Sequence, residues 1–120
     1  MWKYFKKAEF DCPCCRQNKT YIALVNKLDV LRGRMGIAFR ILSGYRCQSH
    51  NSAPSVGGKE GSMHLSGLAA DISTEGWNGY QKYKMIARAM ALGFTGIGVG
   101  KNLIHLDIRP GLPVLWTYYD

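Results

Sequence analysis

The segment that most constrains this chain is Thr95-Gly96-Ile97-Gly98-Val99-Gly100, which continues through Lys101 and Asn102 into Leu103-Ile104-His105-Leu106-Asp107-Ile108. Two β-prone runs joined by a Gly-Lys-Asn turn signal a hairpin, so the end of the chain is expected to be antiparallel. In the second run the two-residue period puts Ile104, Leu106 and Ile108 on one face and His105 and Asp107 on the other. With the apolar face turned to a core, an imidazole and a carboxylate line the opposite surface of the sheet.

A second stretch carries the same kind of tension. Ser62-Met63-His64-Leu65-Ser66-Gly67 leads into Leu68-Ala69-Ala70-Asp71-Ile72, a run suited to a buried strand. A carboxylate in so apolar a segment is costly unless paired, and a metal ion provides the pairing. Catalytic zinc typically takes three protein ligands, drawn from imidazole nitrogen and carboxylate oxygen, and keeps a fourth position open; structural zinc is closed by four ligands, mostly Cys. His64, Asp71 and His105 supply the first kind of set.

The rest of the chain reads as helices placed before and between short strands. From Thr20 to about Arg34, Ile22, Val25, Leu28 and Leu31 recur at three-residue steps, with Leu24 and Met35 flanking, and Gly33 and Gly36 bracket the end. Ile37–Leu42 is β-prone and leads into Ser43-Gly44-Tyr45-Arg46, expected at a strand end. Gln48–Ser62, rich in Ser, Gly, Asn and Pro, reads as a loop long enough to be functional. Tyr80–Leu92 returns to helical spacing through Tyr83, Ile86, Ala87 and Met90, with Asn78 as cap, Gly93 as stop, and Tyr80 and Tyr83 assigned to the core. Trp116-Thr117-Tyr118-Tyr119 is either a terminal strand or a cleft wall, with packing favoured. Gly57-Gly58 and Gly96, Gly98 and Gly100 read as turn and close-packing glycines, since no Gly-Lys-Ser/Thr follows them. The expected fold class is α+β: a small antiparallel sheet with helices packed on it, in one domain spanning 1–120.

Composition narrows the partners. A chain of 120 residues with 47% hydrophobic residues can bury one modest core. The net charge of +8 draws it toward polyanions such as nucleic acid, anionic lipid or an acidic cell-wall polymer. The basic residues are dispersed without a recognisable nucleic-acid motif, which argues against sequence-specific nucleic-acid binding. No apolar run approaches the roughly 20 residues of a membrane span, and Met1-Trp2-Lys3-Tyr4-Phe5-Lys6-Lys7 lacks the apolar stretch of a secretory leader. A chain of this kind is expected to stay in the cytoplasm until something releases it, or to travel with a virion. Four cysteines, Cys12, Cys14, Cys15 and Cys47, are compatible with reduced thiols, with one or two disulfides, or with a second, structural metal site. Without a secretory leader, reduced thiols or metal are favoured.

The pattern Ser62-x-His64-x-x-Gly67-x-Ala69-Ala70-Asp71, followed downstream by a histidine on a strand, resembles the zinc D-alanyl-D-alanine carboxypeptidase family and its peptidoglycan-cleaving relatives; hedgehog-type domains share the fold and keep its metal without peptidase activity being their evident role. Ser43-Gly44-Tyr45-Arg46-Cys47-x-x-His50-Asn51 resembles the segment before the metal motif, and Glu9-Phe10-Asp11-Cys12 resembles the start of the small phage- and prophage-type branch. The resemblance implies Zn2+ held by His64, Asp71 and His105, Arg46 bracing the oxyanion, and Ser62 and His50 as substrate contacts. It implies a metallopeptidase, monomeric, acting on peptidoglycan stem or cross-bridge peptides as a carboxypeptidase or endopeptidase, for instance as an endolysin. The best-known members carry an acid three residues before the last histidine, as general base. Here that residue is Asn102, and the nearest acid is Asp107, read as base or as a partner of His105. A shifted register, with Asp107 on zinc and His105 assisting catalysis, stays open. So does a different class of protein altogether: a zinc-stabilised binding domain or virion module that has lost catalysis.

Overall fold

The computed structural model describes residues 2–52 and 62–118. Five strands form one sheet: β1 (Ile41–Ser43), β2 (Ala69–Ser73), β3 (Gly96–Val99), β4 (Leu103–Asp107) and β5 (Val114–Thr117), in the spatial order β1-β2-β4-β3-β5. The helices are α1 (Ile22–Met35), α2 (Gln48–Ser52) and α3 (Gly79–Ala91), preceded by a 3-10 turn over Lys7–Phe10. The α+β class expected from the spacing is the one observed.

The hairpin forms as read, with Val99 opposite Ile104 and Gly96 opposite Asp107. The sheet is mixed rather than wholly antiparallel, because β5 pairs parallel to β3. The cause is topological. After β4 the chain turns back through Gly111, at φ 96°, and passes over β3 to its far edge, so a strand antiparallel to β4 arrives parallel to β3.

One face of the sheet carries Ala70, Ile72, Ile97, Ile104 and Leu106 into a core completed by Leu24, Val25, Leu28, Leu31 and Met35 of α1 and by Met85 and Ala89 of α3. Each such leucine or isoleucine contributes roughly 1.5–3 kcal/mol relative to an exposed one. The buried stripe of α1 runs through Leu24 and Met35, while Ile22 in the first turn stays exposed. Gly36 closes the helix at φ 70°, its N–H donating to the Arg32 carbonyl. Asn78 caps α3 by accepting from the Gln81 N–H while Gln81 accepts from Asn78, a reciprocal box.

Tyr80 and Tyr83 correct the expectation that they are core: both are exposed. The apolar stripe of α3 is centred on Met85 and Ala89, and a helix advancing about 100° per residue carries Tyr83 to the opposite side. The segment read as a loop from Gln48 opens as α2, and Gly57-Gly58 lie outside the described residues. No helix among the described residues is long and apolar enough to cross a membrane.

Candidate metal centre

The sheet's other face assembles a site along a single cross-strand row. Ser43 of β1 pairs with Asp71 of β2, Asp71 with His105 of β4, His105 with Gly98 of β3, and Gly98 with Trp116 of β5. Alternation in β2 turns Ala70 and Ile72 to the core and leaves Asp71 on the row. The next row places Asp107 between Ala69 and Gly96.

His64 comes from the turn before β2. Its backbone N–H donates to Ser62 Oγ at 3.2 Å, and its carbonyl accepts from the Arg46 N–H at 3.1 Å. Its ring is fixed by the Gly44 carbonyl, 2.7 Å from Nδ1. A carbonyl can only accept, so Nδ1 carries a hydrogen, and Nε2 faces Asp71 Oδ1, 3.3 Å away. His105 lies at 74° to the His64 ring, with 5.1 Å between centroids; its Nδ1 is 2.9 Å from the same Asp71 oxygen. One donor atom from each of His64, Asp71 and His105 falls within 4.8 Å of the others, and all three residues are buried.

Two imidazole nitrogens and a carboxylate oxygen this close together in a buried place are a set that one cation can bridge. With Nδ1 engaged by the Gly44 carbonyl, Nε2 is the His64 nitrogen that faces the cluster, and the donor set is that of catalytic zinc. The residues therefore fit the metal that the sequence implied.

Asp107 has a different place. Its Oδ2 is 2.7 Å from His105 Nε2, on the opposite edge of the ring from Asp71, and Arg109 holds the same carboxylate through Nε at 2.9 Å and Nη2 at 2.6 Å. Asp107 is fully buried. The imidazole thus separates Asp107 from His64 and Asp71, in the arrangement by which a carboxylate orients a metal-binding histidine.

Arg46 reaches the site from the strand-end loop. Its Nη2 donates to Asp71 Oδ2 at 3.1 Å, its Nε to Ser43 Oγ at 2.9 Å, and its Nη1 to Asn51 Oδ1 at 3.4 Å. Three of the five N–H donors of a guanidinium are so engaged by described residues. Ser62 meets the site through the His64 backbone. His50 sits half-buried on α2, its N–H donating to Cys47 Sγ at 3.5 Å, outside the His64–Asp71–His105 cluster.

Sequence reasoning missed Arg109 and favoured packing for Trp116. Arg109 continues the alternation of His105 and Asp107, so that the two-residue period held the signal. Trp116 is a wall of the site: its ring is 5.1 Å from His105 and lies beneath the Arg109 guanidinium at 4.9 Å. Gly96 and Gly98 are close-packing glycines as read, since an added Cβ would fall 2.1 Å from Asp107 Oδ1 at the first and 2.6 Å from the Trp116 ring at the second.

These contacts set the ionisation of the metal-free chain. Burial would raise Asp71, but hydrogen bonds from His105 and His64 outweigh it and hold the carboxyl well below the usual range. Burial is likewise overcome at Asp107 by His105 and Arg109. Burial would lower His105, yet its bonds to Asp107 and Asp71 raise it above the ordinary 6.5. The carboxylates' contribution is present above their ordinary 3.8 and fades as pH falls toward the depressed values. The His105 contribution is complete below 6.5 and fades as pH rises through the raised value. Thermal unfolding in chelator is therefore expected to show greatest stability between those limits. Zinc should add most on the alkaline side, where His105 gives up its proton to bind. A chelated protein whose midpoint climbs steadily above neutral pH would contradict this account.

The family model described as Peptidase M15 covers residues 3–107, from the N-terminal segment through the end of β4. No curated protein matches the chain.

Proposed function

The chain belongs to the Peptidase M15 family of zinc-dependent metallopeptidases, and from that premise we propose that it hydrolyses peptidoglycan peptides, as a D-Ala-D-Ala carboxypeptidase or a cross-bridge endopeptidase. The observation that carries the reading is the convergence of His64 Nε2, Asp71 Oδ1 and His105 Nδ1 in a buried site with Arg46 at its side. Bound by these residues, zinc supplies a Lewis acid that polarises the scissile carbonyl and brings the acidity of water into the neutral range.

The protein's own groups divide the remaining work. Asp71 uses one oxygen toward the histidines and the other toward Arg46, so Arg46 is fixed beside the reacting carbonyl. Its N–H groups that no described residue engages are positioned to brace the oxygen as negative charge develops. Gly44 and Asp107 orient the two imidazoles, one by accepting from His64 and the other by accepting from His105. Asp107 acts here as a positioning residue, held by Arg109 on the far side of His105. Ser62 fixes the turn that presents His64, and His50 is a contact for the substrate's outer part. The charge of +8 favours an anionic cell wall and suits an endolysin released from the cytoplasm or a virion-borne lytic domain.

Mass spectrometry of purified muropeptides after incubation with zinc-loaded protein tests the reading. Loss of one terminal alanine means carboxypeptidase action, and separation of cross-linked dimers means endopeptidase action. Unaltered muropeptides in the presence of a full complement of zinc would favour the binding-domain alternative, which Asn102 at the position of the usual acid keeps in view. Asp107→Asn is expected to weaken zinc affinity and activity by about 10–100-fold, the range for orienting partners. The two losses should be recoverable in part at high zinc. A variant with undiminished affinity but no turnover would instead make Asp107 the base.

A further inference from the structure

We propose that Cys12, Cys14, Cys15 and Cys47 form a second metal site, closed and structural, in which four thiolates hold one zinc ion. The four sulfurs lie within 4.8 Å of one another. The separations are 3.6 Å for Cys12–Cys14, 3.6 Å for Cys12–Cys47 and 3.1 Å for Cys14–Cys47. Tetrahedral zinc with bonds of about 2.3 Å sets sulfurs about 3.8 Å apart. A disulfide requires about 2.05 Å between one chosen pair and leaves the others aside. Cys12, Cys14 and Cys47 stand 3.1–3.6 Å from one another and Cys15 lies within 4.8 Å of them, so three thiols share one neighbourhood with a fourth at hand, which is the pattern of a shared centre.

The backbone is shaped for that centre. Cys12 N–H donates to the Gln17 carbonyl and Arg16 N–H to the Cys12 carbonyl, both at 2.8 Å, closing a tight loop around Cys14 and Cys15. Arg16 adopts φ 63°, a left-handed conformation unusual for a residue with a Cβ. Backbone donors point at sulfur: Cys47 N–H to Cys12 Sγ at 3.4 Å and His50 N–H to Cys47 Sγ at 3.5 Å. Such bonds stabilise thiolate charge and orient metal ligands. Cys14 and Cys15 are exposed, so apolar packing does not account for bringing them together.

The consequence is mechanical. Cys47 follows Arg46 directly, and the same loop supplies the Gly44 carbonyl that fixes His64. The N-terminal segment meets this loop through Tyr45 N–H to the Phe10 carbonyl, 2.9 Å, and an added Cβ on Gly44 would stand 2.6 Å from Phe10 Cα. A tetrathiolate zinc would fasten the two segments at the point where they support the catalytic centre, and it would leave no open coordination position for chemistry.

Metal analysis of the full chain, purified under reducing conditions with zinc, tests this independently of peptidase activity. Two zinc ions per chain are expected. His64→Ala should keep one, and Cys14→Ser/Cys15→Ser, which spares buried Cys12, should keep the other. Cobalt(II) distinguishes the sites: thiolate-to-cobalt charge-transfer bands should appear in wild type and in His64→Ala, and vanish in the double serine variant. Circular dichroism of that variant at the wild-type intensity would show that it has folded. Absence of thiolate–cobalt bands from wild type and His64→Ala alike would overturn the proposal, as would an intact mass revealing paired sulfurs in protein never exposed to oxidant. Failure of hydrolysis with the bands present would count only against the peptidase reading.

Discussion

Replacing His64 with Ala, or Asp71 with Asn, is expected to abolish hydrolysis, with a loss of about three powers of ten or more. Removing a Lewis acid forfeits several kcal/mol of transition-state stabilisation, and each 1.36 kcal/mol is about tenfold in rate. The two substitutions reach this end differently. His64→Ala removes an imidazole already oriented through Nδ1 by the Gly44 carbonyl. Asp71→Asn keeps the shape but removes the charge that faces His64, His105 and Arg46 together. The decisive readout is zinc per chain measured alongside rate. Variants that retain both their zinc at this centre and their turnover would remove His64 and Asp71 from the reading altogether.

Gly96→Ala is expected to be the most damaging single methyl group in the sheet. Its Cβ would fall 2.1 Å from Asp107 Oδ1 and 2.3 Å from Asp107 Cγ. That carboxylate is fully buried and gripped by His105 and Arg109, so it has nowhere to go. Breaking a buried charged pair costs about 3–5 kcal/mol, a large fraction of the stability of a domain this size. Gly98→Ala provides the contrast. There the obstacle is the Trp116 ring on the edge strand β5, which can swing outward, so the cost should stay near the 1–3 kcal/mol of ordinary overpacking. Urea unfolding of the two variants measures the difference. Equal losses at both positions would mean that Asp107 is less firmly held than its hydrogen bonds indicate.

Much of this could be read from residues alone, for definable reasons. The hairpin and the two faces of β4 follow from period-two alternation in Leu103–Ile108, and both appear as read. The cap of α3 is Asn78 as read, and the structure adds Gln81 as its reciprocal partner. His64, Asp71 and His105 are brought together as their residue types suggested. The errors have physical sources as well. Tyr80 and Tyr83 are apolar enough to enter a periodicity count, yet their phase places them away from Met85 and Ala89. The parallel pairing of β5 depends on which edge the chain reaches after Gly111, a choice that local spacing does not encode. Which edge of the His105 ring Asp107 meets was likewise not legible, because strand alternation gives the face but not the edge.

The row Ser43–Asp71–His105–Gly98–Trp116 also bears on how the sheet finds its alignment. A slip of two residues between neighbouring strands leaves every apolar side chain facing the core, so hydrophobic burial alone hardly distinguishes the true alignment from its nearest rival. Charge does distinguish them. Slid one way by two, β2 would set Asp71 against Asp107, carboxylate against carboxylate; slid the other, it would set Asp71 against Leu103 and take it away from His105. The polar row is thus an address written across the strands, legible only when all of them are in step.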